Sequence, residues 1–511
     1  MHKHRFGTKW PSAALPGAFA FAVFTALGWL FPYVMDDWNW GSRPLAQAWQ
    51  TRLQFNALNG RYLGNLFGVL LGQERLLRAL AVGLTMAFFV WFVPRLAGVR
   101  SAVGSMFVLL LLLGMPSLKF REAVSYSSGF ANYTLPLLLI LPIVWRCVRL
   151  LTPAEGRAAN QAPNTTPWHA VLLAPMAFAA TLFVEHYTLY LCVLLLCANL
   201  YVWLLHRRFD WSLALTALAS LAGGLLMFSH PSYRVAFSSA PAYQAAQMHG
   251  LREFALSVCN GWFNPDWGIA ASLLMREPLL SLALVALLLA LLHKERPKHA
   301  KLCAFAAILF AAWQFSMLLL PQELTALGTP FQAAYYYTQG LLCVLFFASM
   351  AWALLQTKAL RVQALLLLGS ILTLSLPLLV VRPFGQRNFM LAYLLWIALL
   401  LLLGNHLCTA LPFRLKNPLQ NIAKHLSCAA CVCLAASLLV VFSFAHIAEN
   451  RRSREIAQQA ARPVVQITPP APWERRYTMP WHPEGPGWVW QENFNAFHNL
   501  PPGTVVAART Q

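Results

Sequence analysis

Charged residues are scarce in this 511-residue sequence: Asp, Glu, Lys and Arg together make up 11% of it, whereas soluble globular domains carry roughly 25%. Acidic residues are the scarcest of these, with 17 Asp and Glu against 38 Lys and Arg. Hydrophobic residues account for 59%, and the mean hydropathy is +0.55. This composition excludes a soluble, disordered, collagen-like or disulfide-scaffold chain and predicts an all-α polytopic membrane protein.

Several catalytic motifs are also missing. The sequence contains no P-loop, no dinucleotide-binding glycine fingerprint, no HExxH helix and no serine nucleophile elbow, which argues against an ATP-driven pump and a zinc protease. Ten cysteines are present, but most lie in apolar runs and only Cys259 falls in a long predicted outer loop, so no structural disulfide is expected. The net charge of +21 fits basic cytoplasmic loops and anionic membrane lipids, and no nucleic-acid partner is expected.

Apolar runs of the length that a bilayer requires, about 20 residues, occur throughout the chain. Lys and Arg concentrate in the short loops on one side of these runs. The positive-inside rule therefore places the N-terminus in the cytoplasm and the C-terminus on the periplasmic or extracellular side of a bacterial inner membrane. About thirteen transmembrane helices are predicted, centred near residues 23, 87, 109, 141, 177, 196, 220, 283, 311, 348, 372, 397 and 437.

The predicted spans form a transmembrane domain, 1–448, followed by a small polar tail, 449–511. The tail is too short for a substantial core of its own and is expected to pack on the outer face. Two predicted outer loops are long. The first, 35–78, contains a stretch at 45–58 that is predicted to lie as an amphipathic helix on the membrane surface, and the second, 229–277, is rich in aromatic and small residues. Most acids fall in such outer segments, so acid–base chemistry is expected there.

Two adjacent acids, Asp36 and Asp37, directly follow the first predicted span. Carboxylates at a membrane boundary are costly unless they are used or paired. One of them is a candidate general base that deprotonates an acceptor hydroxyl, while the other orients that hydroxyl or binds a cation. The alternative is a pair of acids that cap the surface helix or face water, and spacing alone does not decide between the two interpretations.

Polar and aromatic residues converge near the outer ends of the next spans. Arg61 is a fork-shaped donor suited to phosphate or carboxylate. Glu122 leads into the segment 125–136, in which Asn132 and Tyr133 are of the types that hydrogen-bond to sugar hydroxyls and stack on sugar rings. The alternatives are an ordinary turn with an interfacial Arg, and an outer loop whose aromatic residues seek the membrane interface.

Two further pairs of residues are candidates for the same site. Glu185 and His186 separate two apolar runs with almost no loop, so the carboxylate is expected either to pair with His186 or to face the same cavity as the acidic pair. Arg382 and Arg387 flank a glycine-containing turn between two later spans. They are predicted to grip a phosphate or pyrophosphate by charge-assisted hydrogen bonds, the alternative being an interfacial basic turn.

Taken together, these motifs resemble the GT-C superfamily of membrane glycosyltransferases. The resemblance rests on DDW at 36–38 after the first span, on NGRY at 59–62 in the long first loop, and on SGFANY at 128–133 followed by Pro136. The pattern is most similar to the bacterial serotype-converting glucosyltransferases and to a related set of uncharacterised bacterial membrane proteins. It covers roughly residues 12–200 by motif and the later spans by architecture only.

The resemblance implies transfer of a sugar from a polyprenyl-phosphate carrier to an extracytoplasmic glycan or lipid acceptor, usually with inversion, as in O-antigen modification of lipopolysaccharide in the cell envelope. It implies that Asp36 or Asp37 is the general base and that Arg382 and Arg387 hold the leaving phosphate. No cofactor is assigned, although the acids would supply oxygen ligands of the kind that Mg²⁺ or Mn²⁺ accepts. The substrate-binding set is Arg61, Glu122, Asn132, Tyr133, Glu185, His186, Arg382 and Arg387.

Two other functions fit parts of the pattern. An O-antigen polymerase or ligase shares the many spans, a long outer loop and outer arginines, but an acidic pair after the first span is not typical of it. A non-enzymatic flippase or transporter of lipid-linked sugars is expected to carry ionisable groups inside mid-span helices. The acids here cluster at the outer boundary instead, so a glycosyltransferase is the leading interpretation.

Overall fold

Backbone amide and carbonyl groups find no water partners inside a bilayer, so a chain this apolar is expected to satisfy them within helices. The computed structural model is helical throughout its apolar segments. It describes residues 14–42, 45–46, 59–152, 168–207, 209–236, 250–264, 268–319, 329–379, 385–409, 413–479, 481 and 488–509.

The chain is an all-α polytopic membrane protein. The bent pair Ala102–Leu113 and Ser117–Ser125 adds a tenth candidate span to the nine single helices, among the described residues, that are long and apolar enough to cross a membrane. Three shorter apolar helices, Ala14–Leu30, Val171–Ala180 and Ala300–Ser316, coincide with the other predicted spans, so the count of thirteen stays a prediction. The nine are Arg75–Leu96, Ser127–Leu151, Glu185–Leu204, Trp211–Phe228, Pro278–Glu295, Tyr337–Gln356, Arg361–Leu379, Gln386–Thr409 and Asn421–Gln458.

Local sequence sets several helix ends. Ser101 Oγ accepts a hydrogen bond from Gly104 N at 3.2 Å, and Asp210 Oδ1 accepts one from Leu213 N at 3.1 Å, so both side chains satisfy amides at a helix start. The α-helices of the bundle are Ala14–Leu30, Asp36–Gly41, Tyr62–Gln73, Arg75–Leu96, Ala102–Leu113, Ser117–Phe120, Ser127–Gly129, Leu137–Leu151, Trp168–Ala180, Glu185–His206, Trp211–Phe228, Pro231–Ala236, Leu251–Phe263, Pro278–Glu295, Ala300–Leu319, Thr329–Gln356, Arg361–Ser375, Met390–Thr409 and Phe413–Gln458.

Helix packing centres on Met390–Thr409, in which every residue from Met390 to Leu403 is buried. The first helix, Ala14–Leu30, packs closely on Arg75–Leu96 because Gly28 has no side chain: a Cβ there would lie 2.9 Å from Ala79 Cα. Small residues at helix contacts allow such close approach in membrane proteins, where the hydrophobic effect gives little drive for helices to associate.

The backbone between residues 117 and 134 is broken repeatedly. Its first part bends by 87° from the preceding helix, and two π-helical turns, Arg121–Ser125 and Phe130–Thr134, flank the short helix Ser127–Gly129. Irregular backbone at a membrane boundary is tolerated where protein covers it, and π turns are frequent at functional sites. Other non-α turns are the π turn Ala271–Met275 and the 3₁₀ turns Pro377–Leu379 and Gln386–Phe389.

The tail begins as a continuation of the last long helix. Phe413–Gln458 runs without a break through the predicted boundary at 448/449. Beyond it, the strand β1 (Val464–Ile467) pairs in parallel with β2 (Val505–Ala508), with Val464 opposite Val505. The short helices Glu474–Tyr477 and Gln491–Phe497 lie between the two strands in the sequence.

The two segments predicted as long outer loops contain helices of their own. The predicted surface helix at 45–58 lies outside the described residues apart from 45–46. Tyr62–Gln73, in the same segment, has 12 residues and is shorter than a span. The segment 229–277 carries Pro231–Ala236 and Leu251–Phe263. The side of the membrane on which these helices lie stays a prediction.

Candidate functional site

A sharp turn after the first helix carries the two adjacent acids into the protein. Met35, at this turn, has a φ of 53°, in a region that residues with a side chain rarely adopt. The helix Asp36–Gly41 follows directly, with Asp37 fully buried, Trp38 1% exposed and Asp36 partly exposed. The two carboxylates therefore lie in different surroundings, although they are neighbours in the sequence.

Hydrogen bonds hold the carboxylate of Asp37 on both oxygens. Oδ1 accepts from Ser128 N at 2.8 Å and from Ser128 Oγ at 2.7 Å, and Oδ2 accepts from Ser127 N at 3.3 Å and Val34 N at 3.4 Å. Burial raises the pKa of Asp37 to about 6, against the opposing effects of the Ser128 hydrogen bonds and of nearby Arg78. Because both of its oxygens accept hydrogen bonds and it has no exposed surface, Asp37 is suited to holding the helix Asp36–Gly41, the acidic helix, in place.

Asp36 has a different partner, the phenol of Tyr126, which donates a hydrogen bond to Asp36 Oδ2. Burial, together with the charges of Asp36 and Asp37, raises the pKa of Tyr126 well above its ordinary value, so the phenol stays protonated and can donate. Among the described residues, Asp36 Oδ1 has no hydrogen-bond partner. Asp36 is therefore the acid of the pair that a ligand can reach.

The guanidinium of Arg387 lies near two tyrosine rings. Its Cζ is 5.8 Å from the ring centroid of Tyr126 and 5.4 Å from that of Tyr133. Its backbone N–H donates to Glu122 Oε2 at 3.3 Å, and a Cβ on Gly385 would clash with the same carboxylate. The buried Nε of Arg387 has no hydrogen-bond partner among the described residues. Leaving such a donor unpaired is costly, so this cation is suited to an anionic ligand.

Glu185 pairs with Arg61 and not with its sequence neighbour His186. Arg61 Nη2 lies 2.7 Å from Glu185 Oε2, and Arg61 Nε donates to both carboxylate oxygens at 3.0 Å. Tyr233 donates to Glu185 Oε1 at 2.6 Å, and Arg61 Nη1 donates to the Tyr133 hydroxyl at 3.4 Å. The predicted alternative of a local Glu185–His186 pair is wrong, because adjacent residues of a helix point in different directions.

His186 and Asn132 contact other residues of the site and its surroundings. His186 Nε2 donates to the carbonyl oxygen of Asn388 at 3.2 Å, and its ring stacks on Tyr133 with centroids 5.9 Å apart. Asn132 Nδ2 donates to Ser128 O at 2.9 Å, while its buried Oδ1 has no partner among the described residues. Both side chains therefore fix the walls around the two tyrosines.

These contacts bring nine predicted site residues into one connected cluster, and the tenth, Arg382, lies outside the described residues. Tyr126, Ser128 and Tyr233 are not among the individual site residues predicted from the sequence. Tyr126 and Ser128 lie in the polar and aromatic segment 125–136, which is a usable signal, whereas nothing in the sequence singles out Tyr233. The nine are Asp36, Asp37, Arg61, Glu122, Asn132, Tyr133, Glu185, His186 and Arg387.

The described residues were compared with the ligand sets that metal ions require in proteins. No group of three or more His, Cys, Asp or Glu side chains in that part of the chain is arranged to hold a metal ion. The oxygens of Asp37 accept hydrogen bonds from amides and a hydroxyl, and those of Glu185 are bound by Arg61 and Tyr233. The requirement for Mg²⁺ or Mn²⁺ stays a prediction.

Comparisons with protein-family models, with curated proteins and with solved structures found no match to this chain.

Proposed function

We propose that this chain is an integral membrane glycosyltransferase of the GT-C type. It transfers a sugar from a polyprenyl-phosphate carrier to a glycan or lipid acceptor, with inversion at the anomeric carbon. One observation carries the proposal: Asp36 and Arg387 meet at Tyr126. The partly exposed carboxylate accepts the hydrogen bond of this phenol, and a guanidinium with an unpaired N–H lies near its ring. A base and an anion-binding cation therefore adjoin one aromatic side chain.

In the proposed reaction, the oxygen of an acceptor hydroxyl attacks the anomeric carbon of the donor sugar while the bond from that carbon to the phosphate oxygen breaks. Asp36 takes the proton of the hydroxyl. The polyprenyl phosphate leaves as an anion, and Arg387 binds it by charge-assisted hydrogen bonds. Positive charge placed where negative charge develops is the main electrostatic help that such a transfer needs.

The other residues of the cluster position these two groups. Asp37 ties the acidic helix to Ser127 and Ser128, and Glu185 balances the charge of Arg61. Of the two arginines in the described cluster, Arg61 is paired with Glu185, and Arg387 has a side-chain N–H without a hydrogen-bond partner. In the proposed setting, the protein lies in a bacterial inner membrane and this end of the bundle faces the periplasm, where a lipid-linked donor and a surface glycan meet.

The test compares surface glycans by mass spectrometry in cells whose own copy of the protein has been deleted. The wild-type chain is expected to restore one sugar unit per repeat or per core. Asp36→Asn is expected to lower transfer by about 10²–10⁴-fold, the usual effect of losing a general base. Tyr126→Phe keeps the ring and removes the hydrogen bond to Asp36, and it is expected to lower transfer by about tenfold.

A matched control is Glu492→Gln, which neutralises an exposed acid of the tail and is expected to leave the glycan mass as in the wild type. The amount of each variant in the membrane is measured alongside. Unchanged product with Asp36→Asn would contradict the proposed chemistry. Loss of glycan chain length, or of export, in the deletion alone would favour the polymerase or the flippase.

A further inference from the structure

A cavity of about 290 Å³ lies beside the candidate site, between the helix Ser117–Phe120 and the start of the helix Pro278–Glu295. Its volume is near the lower end of the range for ligand pockets, about 300–1,000 Å³. None of the nine clustered residues lines it. Its walls include Leu118, Lys119, Met275, Pro278, Gln314 and Gln386.

Two glutamines of this cavity have unpaired acceptors. Gln314 is fully buried and Gln386 is 3% exposed. Gln314 Nε2 donates to Leu274 O at 3.2 Å, and Gln386 Nε2 donates to Ser272 Oγ at 3.0 Å. Because a carbonyl oxygen can only accept, the first bond fixes which way the Gln314 amide points. Both Oε1 atoms are buried without a partner among the described residues, a costly arrangement that a ligand with donor groups would relieve.

Lys119 supplies a donor to the same cavity. Its ammonium lies 3.0 Å from Glu277 Oε1, and both side chains are only 2% exposed, so the charge of Lys119 is balanced within the protein. Arg276, the other cation at the wall, also has an interaction partner in the protein. An ammonium has three N–H donors, of which Glu277 does not use all. The cavity therefore offers two acceptors and a donor, with little preference for a charged ligand.

We propose that this cavity binds a neutral, hydroxyl-rich group, a sugar ring or a polyol. A hydroxyl both donates and accepts, so two hydroxyls of the ligand donate to Gln314 Oε1 and Gln386 Oε1, and a further one accepts from Lys119. The apolar walls at Met275 and Pro278 cover its C–H surface. The cavity lies next to the cluster of nine site residues, because Gln386 of the cavity precedes Arg387 of the cluster in the sequence. Binding in the cavity does not depend on the proposed transfer chemistry.

The test is saturation-transfer NMR on the full chain in nanodiscs of phosphatidylcholine. This lipid is chosen because its headgroup has no hydroxyl that could occupy the cavity. The probes are methyl glucoside, methyl galactoside, methyl N-acetylglucosaminide and glycerol. We expect transfer from the wild type to at least one probe, and glycerol alone would assign a polyol and not a sugar. Gln314→Met with Gln386→Met removes both acceptor oxygens at similar side-chain length. It is expected to weaken binding by about tenfold or more.

The matched control is Gln339→Met, since Gln339 is also buried with an unpaired Oε1 but does not line the cavity. It is expected to bind as the wild type does. Asp36→Asn is also expected to keep binding, which separates this site from the transferase proposal. If the double variant does not reach the membrane, Gln314→Met alone is measured. Absence of transfer to every probe, or equal binding by the glutamine variants, would overturn the proposal.

Discussion

At the scale of single residues, surroundings and not residue type distinguish Asp36 from Asp37. Asp37 has four donors around its two oxygens and no exposed surface, whereas Asp36 has the phenol of Tyr126 and one oxygen left over. A base must reach the proton that it removes. The partly exposed carboxylate of Asp36 is the one that we propose as the base, whereas the hydrogen bonds of buried Asp37 suit it to fixing the short helix that carries both acids.

The raised pKa of Asp37 predicts how stability depends on pH. Its pKa is about 6 in the folded protein and 3.8 in its ordinary state, so the folded state binds this proton more tightly than the unfolded chain. The contribution to stability is fully present below the ordinary pKa and is lost as the pH rises through about 6, a change of about 3 kcal/mol. We therefore expect the difference in Tm between the wild type and Asp37→Asn to decrease as the pH rises from 3.8 to about 6. Above that pH the difference is expected to stay constant.

Thermal unfolding across the pH range, followed in detergent, measures this difference. Asp36→Asn is the matched control, because it removes the neighbouring charge and leaves the buried group in place. It is expected to keep the pH dependence of the wild type. A Tm difference between wild type and Asp37→Asn that does not change with pH would contradict the role of burial.

Individual residues of the site could be predicted from the sequence, but their pairings could not. Charged and polar side chains are rare in an apolar chain, so Asp36, Arg61 and Glu185 stand out. Arg61 and Glu185 are 124 positions apart, and no local pattern records a contact across that distance. The interpretation that paired Glu185 with His186 relied on nearness in sequence, which a helix does not convert into contact.

At the scale of elements, the close packing of the first helix on Arg75–Leu96 is open to test. In Gly28→Ala, the new Cβ would lie 2.9 Å from Ala79 Cα and 3.2 Å from Val82 Cβ. The backbone has to move to admit it, and overpacking of this kind costs about 1–3 kcal/mol. We expect a lower Tm for this variant in detergent.

Gly17→Ala makes the same change on the same helix, at a position where a Cβ meets nothing within 4 Å. Alanine favours a helix over glycine by about 1 kcal/mol, so this variant is expected to keep or raise the Tm. Equal Tm values for the two variants would show that the helix contact is less tight than the structure gives it.

The helices agree with the sequence-based prediction where hydropathy determines them, and differ from it where other factors do. Each predicted span coincides with an apolar helix, because burial of apolar side chains and internal backbone hydrogen bonds act together in a bilayer. The breaks between 117 and 134 arise where the spacing of the backbone hydrogen bonds changes from that of an α-helix to that of a π-helix. Residue type does not determine this spacing. The last helix continues to Gln458 because a helix can extend beyond the apolar part of its sequence.

At the scale of the whole molecule, the tail and the acidic helix share one apolar cluster. Trp481, Trp488 and Phe494 surround Trp38, with ring centroids 5.1, 5.8 and 5.0 Å away. Trp488→Ala removes one side of this cluster, at a typical cost of about 3–5 kcal/mol. We expect a lower Tm and a loss of transfer, since the support for the helix carrying Asp36 is weakened.

The control for this variant is Trp473→Ala, which truncates a tail tryptophan that is 44% exposed. Surface changes usually stay within about 0.5 kcal/mol, so both Tm and transfer are expected to match the wild type. The comparison uses thermal unfolding and the glycan assay on the same preparations. A wild-type Tm for Trp488→Ala would contradict the supporting role of the tail.

Composition was enough to predict a polytopic membrane protein, with 59% hydrophobic and 11% charged residues. The apolar runs of about 20 residues then predicted that its spans are α-helices. The count of thirteen spans, the orientation in the membrane and the glycosyltransferase function stay predictions. Each depends on something that amino-acid composition does not carry: the position of the bilayer, the direction of insertion, and the molecule that occupies the site.

The shared cluster also has a consequence for biosynthesis. Val34 and Val506 belong to the same apolar core, yet a ribosome makes Val34 long before Val506. The acidic helix therefore enters the membrane region long before its covering side chains exist. Translation that stalls before Trp488 is expected to leave an inserted bundle in which Trp38 lacks its covering aromatic side chains, so the proposed transfer is expected only after Trp488 and Phe494 have been made.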